Sequence, residues 1–143
     1  MSGLAAVNNL LALVIEDNEA VGEIFKIAVE RAGFEVELIP DGQVALERLA
    51  VVTPVFILLD LHLPNVSGEQ ILNYIHTQER LAQTRVVLAS ADLMEATNLK
   101  DRVELVLIKP LGFNQVYQVA KKARQAEPLL DEDVNSTAKS PDF

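Results

Sequence analysis

The chain has 143 residues, half of them apolar and 23% charged, enough for one globular domain whose core needs no covalent staples. It contains no cysteine, which excludes disulfides, thiolate metal sites and a thiol nucleophile. Its net charge of −9 argues against direct nucleic-acid binding, which needs clustered Lys and Arg to displace phosphate counterions, and no apolar run approaches the roughly 18 residues of a membrane span.

Residues Met1–Asn9 have no positive signal-peptide region, and Ser2 replaces the glycine needed for myristoylation. They are read as a flexible leader on a cytoplasmic protein with no membrane contact. Leu10–Ile15 is an unbroken apolar run, the pattern of a strand buried on both faces, and it ends in Glu16-Asp17. Asn18–Ala32 carries Val21, Phe25, Ala28 and Ala32 on one helical stripe, with Gly33 where a C-terminal glycine belongs. Phe34–Ile39 alternates apolar and acidic residues, as an edge strand with one wet face does. After the turn Pro40-Asp41-Gly42, Gln43–Val52 is predicted helical through Ala45, Leu46 and Leu49, until Pro54 intervenes.

Val55–Leu59 is the most apolar run and ends in Asp60. A loop, Leu63–Gly68, leads to a helix over Glu69–Glu79 with Ile71, Leu72 and Ile75 inward. Arg85–Ser90 is a fourth strand and Asp92–Leu99 a weak helix. Glu104–Ile108 is a fifth strand ending in Lys109-Pro110. Phe113–Arg124 is a last helix with Phe113, Val116, Tyr117, Ala120 and Ala123 on one side. Residues 127–143 hold five acids against one lysine and are expected to be a disordered acidic tail, with Leu129-Leu130 its only docking spot.

Five strand–helix repeats imply an α/β fold: a doubly wound five-stranded parallel sheet, flavodoxin-like (βα)5, with strand order 2-1-3-4-5 and the domain over residues 10–126. Such sheets bind ligands beyond the carboxyl ends of the strands, where the winding reverses. Glu16, Asp17 and Asp60 would gather there, with Ser90 and Lys109 on the adjacent ends, whereas the second strand ends in Pro40 and offers nothing reactive. Crowded carboxylates call for a cation, and oxygen ligands without cysteine or convergent histidine select a hard one, Mg²⁺. With Lys109 and the Ser90 hydroxyl, the pocket suits phosphoryl oxygens, and Asp60, ending the most buried strand, is the best nucleophile. Any one such acid is more often a solvated turn residue or a helix cap, as Asp17 or Asn18 could be for the first helix. The ordered set is what carries the reading.

The set Glu16-Asp17, Asp60 through Gly68, Ser90-Ala91 and Lys109-Pro110, over about residues 10–125, resembles the receiver domain of bacterial two-component response regulators. That resemblance implies that Asp60 accepts a phosphoryl group. It implies that Asp17, Asp60 and the His62 carbonyl ligate Mg²⁺, with Glu16 acting through a bound water. Lys109 would neutralise phosphoryl charge, Ser90 would be the switch hydroxyl, and Pro110 would follow a cis bond. It also implies that His62 and Asp92 influence attack by water, although both could equally be plain solvated loop residues. One position departs: the family's strand-5 aromatic is Val106 here, which cannot swing a ring between core and surface.

The function so implied is a stand-alone, single-domain phosphorelay protein, not an enzyme on external substrates. It would take phosphoryl from a sensor histidine kinase or phosphotransfer protein. Output would pass to an unknown downstream protein, or to a homodimer, through the fourth helix, fifth strand and fifth helix, where Leu93, Met94, Leu99 and Tyr117 are candidates. The alternative is a phosphorylation-independent protein-interaction domain, which Val106 favours. A phosphatase or nucleotide binder is weaker, because there is no GxGxxG and no P-loop.

Overall fold

Runs without alternation bury both faces, so they belong in the middle of a sheet covered on both sides. The computed structural model, which describes residues 10–130, bears this out. The strands are β1 (Leu11–Ile15), β2 (Glu35–Ile39), β3 (Phe56–Asp60), β4 (Arg85–Ser90) and β5 (Leu105–Ile108). They are all parallel, in the order β2-β1-β3-β4-β5. β3, central and wholly apolar until Asp60, is buried along its length, and β2, with its alternating acids, is an edge. The leader 1–9 and residues 131–143 of the acidic tail lie outside the described residues.

Five helices cover the sheet: α1 (Glu19–Arg31), α2 (Gly42–Leu49), α3 (Gly68–Thr77), α4 (Leu93–Leu99) and α5 (Phe113–Arg124). On one face, Phe25, Ala28 and Val29 of α1 and Val116, Val119, Ala120 and Ala123 of α5 pack over Ala12, Val14, Phe56 and Leu58. On the other, Ala45 and Leu49 of α2, Ile71, Leu72 and Ile75 of α3 and Leu99 of α4 pack over Leu13, Ile15, Ile57 and Leu59. Phe113 and Tyr117 are half-buried at the rim of α5, stacked with centroids 6.1 Å apart, and Arg31 lies over Phe113. Gly33 has φ 113°, the left-handed conformation that its place after α1 predicts.

Several boundaries differ from the expected ones. α2 stops at Leu49 rather than Val52, because the amides of Val51 and Val52 both turn back to the Arg48 carbonyl ahead of Thr53-Pro54. α3 stops at Thr77, and single 3₁₀ turns follow at Glu79–Leu81 and Lys100–Arg102. Pieces of three residues have no apolar period to betray them. Leu99, expected on the output face, is instead 6% exposed and belongs to the core. Beyond α5, Leu129 is also buried, and the Glu127 carbonyl accepts a 2.7 Å hydrogen bond from Arg85.

The wet edge is tied down by a two-pronged ion pair. Arg48 on α2 donates from Nε and Nη2 to the two carboxylate oxygens of Glu37 on β2, both at 2.8 Å. The Arg48 hydrogen bond holds the Glu37 carboxyl below its ordinary range. A depressed carboxyl adds stability that is present above its unfolded pKa and lost as pH falls through the folded one. Arg48→Gln is therefore expected to lower the melting midpoint at neutral pH. The difference from wild type should narrow as acid protonates Glu37, which then offers Arg48 no charge to pair with; a gap that keeps its size from neutral pH into acid would contradict this.

Candidate functional site

Each acid of the cluster is delivered by the end of a strand. β1 and β3 run in register with Ile15 opposite Leu59, so Glu16 and Asp60 leave the sheet side by side, and Asp17 follows one residue later. Carboxylate oxygens of Glu16, Asp17 and Asp60 all lie within 4.8 Å of one another. Glu16 is 3% exposed and Asp60 5%, while Asp17 is open to solvent. Lys109, from the end of β5, places Nζ 2.6 Å from Glu16 Oε1 and 3.4 Å from Asp60 Oδ2. The Lys109–Pro110 bond is cis.

The electrostatics follow from burial. Loss of water raises the Glu16 carboxyl and Asp60 raises it further; the hydrogen bond from Lys109 only partly offsets this. Burial alone would weaken the Lys109 ammonium, but the Glu16 hydrogen bond and the charges of Asp60 and Glu16 outweigh it and hold the proton more tightly than usual. The two buried carboxylates share the Lys109 ammonium, and the exposed Asp17 lies beside them. An all-oxygen donor set of this charge suits a hard divalent ion.

The other residues singled out from the sequence lie near this cluster without all joining it. Ser90 is fully buried, and its Oγ accepts the Asp92 N–H at 3.0 Å, so the hydroxyl faces the turn after β4. Asp92 is the N-cap of α4, its Oδ1 accepting from Glu95 N–H at 3.0 Å. The His62 N–H donates to Asp60 Oδ1 at 3.2 Å, and the His62 side chain reaches out to Glu95, with Nε2 3.0 Å from Oε1. Asn18 rather than Asp17 caps α1, its Oδ1 accepting from Val21. Val106 is half-buried. Sequence reasoning missed Glu95 and, more consequentially, Asp41 and Asn65, whose side chains hydrogen-bond across the loops after β2 and β3. A groove lined by Val55, Ile75, Arg85, Arg102 and Glu104 lies at the opposite end of the strands and takes no part in this chemistry.

Gly68 opens α3 directly beneath the site. A Cβ there would sit 2.4 Å from the Asp60 carbonyl oxygen and 2.6 Å from Leu61 Cα, against backbone that cannot rotate away. Gly68→Ala is expected to cost about 2 kcal/mol, from overpacking partly offset by the better helix propensity of alanine. Gly112→Ala, where nothing lies within 4 Å, should cost less than about 1 kcal/mol. Denaturant midpoints of the two variants in the reverse order would contradict the geometry.

A doubly wound sheet in the order 2-1-3-4-5, with three carboxylates and a lysine at the point where the winding reverses, defines a small acidic-pocket α/β domain. Comparison with known proteins identifies the family. The model of the response regulator receiver domain matches residues 12–121, and the chain belongs to that family. It is 33% identical over 135 residues to the "Probable methanogenesis regulatory protein FilR2" of Methanothrix harundinacea, covering 85% of this chain and 86% of the relative. Its fold is similar to that of the chemotaxis response regulator CheY4 of Vibrio cholerae, with a TM-score of 0.73 and 18% identity over 80% of this chain and 98% of that one. It is also similar to a response regulator of Burkholderia pseudomallei solved with a phosphorylated aspartic acid, calcium ion and citrate, with a TM-score of 0.67 and 22% identity over 92% of this chain and 72% of that one. Among the described residues no helix is long and apolar enough to cross a membrane.

Proposed function

We propose that this chain is a phosphoacceptor of a two-component phosphorelay, phosphorylated on Asp60 by a sensor histidine kinase or a phosphotransfer protein. The observation that carries this is the Lys109 ammonium held against the buried Asp60 and Glu16 carboxylates at the carboxyl ends of β1, β3 and β5. A carboxylate oxygen of Asp60 attacks phosphorus. The bond from phosphorus to the donor breaks, the donor leaves with its electron pair, and an acyl phosphate forms. Lys109 then faces the added charge, and Ser90 would trade its bond to the Asp92 amide for a phosphoryl oxygen. Glu16, Asp17, Asp60 and the His62 carbonyl fit Mg²⁺ by donor type. Bound there, it would neutralise the carboxylates and the developing phosphoryl charge. No external substrate is turned over.

Phosphate adds about −1.5 to −2 charge, enough to rearrange a loop or helix terminus. The surface best placed to report it is the start of α4, where Leu93 and Met94 are exposed beside β5. The downstream protein, or a second copy of this chain, would bind there in the cytoplasm. A second reading, a phosphorylation-independent binding domain, is favoured by Val106, which offers no rotating ring.

Incubation with acetyl phosphate and Mg²⁺ tests the proposal. A gain of about 80 Da is expected, and none when a chelator removes the metal before acetyl phosphate is added. A folded protein that gains no mass and binds no beryllofluoride would leave only the second reading.

A further inference from the structure

The end of β2 looked empty of chemistry in the sequence, yet it grips the loop that carries His62. Asp41 divides its two oxygens. Oδ1 accepts from the amides of Gln43 and Val44 at 2.7 and 3.1 Å and so caps α2, while Oδ2 accepts from the Asn65 side-chain amide. The next residue continues the grip. Gly42 N–H donates to the Pro64 carbonyl at 3.3 Å, and a Cβ on Gly42 would lie 1.9 Å from the Val66 carbonyl oxygen, so the two loops touch backbone to backbone. Asn65 itself is in the left-handed region at φ 70°. The loop is also closed at its base just past β3, where Gly68 N–H donates to the Leu61 carbonyl at 2.9 Å. His62 lies between these two anchors.

We infer that Asp41, acting through Asn65, is a positioning residue that holds the loop after β3, and with it the His62 carbonyl, in place to complete the cation site. This rests on the proposed Mg²⁺ site. Backbone hydrogen bonds, first from Val44, together with the Asn65 amide keep the Asp41 carboxyl below its ordinary range, so both oxygens are acceptors at neutral pH. Groups that orient metal ligands without touching the metal commonly set its affinity.

The division of labour between the two oxygens makes the idea separable from folding. Asp41→Asn keeps an oxygen to cap α2 but places an amide where Asn65 needs an acceptor. Asn65→Ala removes the same contact while leaving the Asp41 charge in place. Mg²⁺ titration of the unphosphorylated full chain, followed by amide resonances, is expected to show each variant binding about tenfold more weakly than wild type. The double variant should be no weaker than either single one, and the metal-free melting temperature of Asp41→Asn should be close to wild type. Affinity within twofold of wild type in either single variant, or losses that multiply in the double, would overturn the inference. Asp17→Asn separates it from its foundation. If wild type shows no Mg²⁺ binding that Asp17→Asn removes, the cation site itself fails and the inference with it. If Asp17→Asn does remove binding while Asp41→Asn does not weaken it, only the positioning role fails.

Discussion

Asp60→Asn is expected to abolish the phosphoryl adduct completely while leaving the fold intact. The attacking atom must be an anionic oxygen with a free lone pair, and the neutral amide that replaces it cannot form a stable bond to phosphorus. Because the side chains are isosteric, the fully buried end of β3 keeps its packing, and the His62 N–H, now 3.2 Å from Oδ1, still finds an acceptor. Charge is rebalanced rather than stranded. Lys109 keeps its 2.6 Å contact with Glu16, and the Glu16 carboxyl is relieved of the repulsion from Asp60 that helps to raise it. Stability should therefore stay within about 1 kcal/mol of wild type. Mass spectrometry after acetyl phosphate treatment, read beside a chemical melt, checks both halves. An undiminished adduct in this variant would move the nucleophile elsewhere, to Asp17 or Glu16.

The sequence already carries most of the fold because the inner strands are built on apolar runs: β1 and β3 break off at acids, and β4 is apolar from Val86 to Ala89 before Ser90. Leu10–Ile15, Val55–Leu59 and Arg85–Ser90 could be placed in the sheet, and their ends at the switch point, from that pattern alone. Glu16, Asp17, Asp60 and Lys109 do gather there, since parallel pairing in register delivers consecutive strand ends to one rim. What the pattern could not carry is contact between loops. His62 pairs with Glu95, and Asp41 with Asn65, across 33 and 24 positions of chain, and neither pairing leaves a periodic trace. Leu99 was misplaced for a related reason. A seven-residue helix shows too few turns for its buried side to be read from spacing, and its exposed apolar residues, Leu93 and Met94, are as hydrophobic as the buried Leu99.

Replacing Lys109 by methionine should damage the protein in two ways at once, in contrast to the change at Asp60. Methionine retains the apolar stem and roughly the length, so packing is preserved, but the ammonium between Glu16 and Asp60 is gone. Two carboxylates, 3% and 5% exposed, then face each other without a counter-charge. Removing one partner of a buried ion pair typically costs about 3–5 kcal/mol. Lys109 is 21% exposed, so some water reaches the gap, and about 2–3 kcal/mol is expected in metal-free buffer at neutral pH. Acid should narrow the deficit. The Glu16 carboxyl is already raised, and its protonated form carries no charge to compensate, so a bound proton substitutes for the lost ammonium as pH falls. Millimolar Mg²⁺ should narrow it as well, and more than it stabilises wild type, because the variant's acids have no internal cation to compete. Phosphoryl uptake does not recover with stability. The donor aimed at the incoming charge is absent from the transition state, and loss of one such donor slows group transfer about a hundredfold or more. Melts with and without Mg²⁺, and the rate of adduct formation at saturating metal, separate the two effects. A variant as stable as wild type in chelator would mean that Glu16 and Asp60 do not depend on Lys109, and the electrostatic account of the pocket would fall with it.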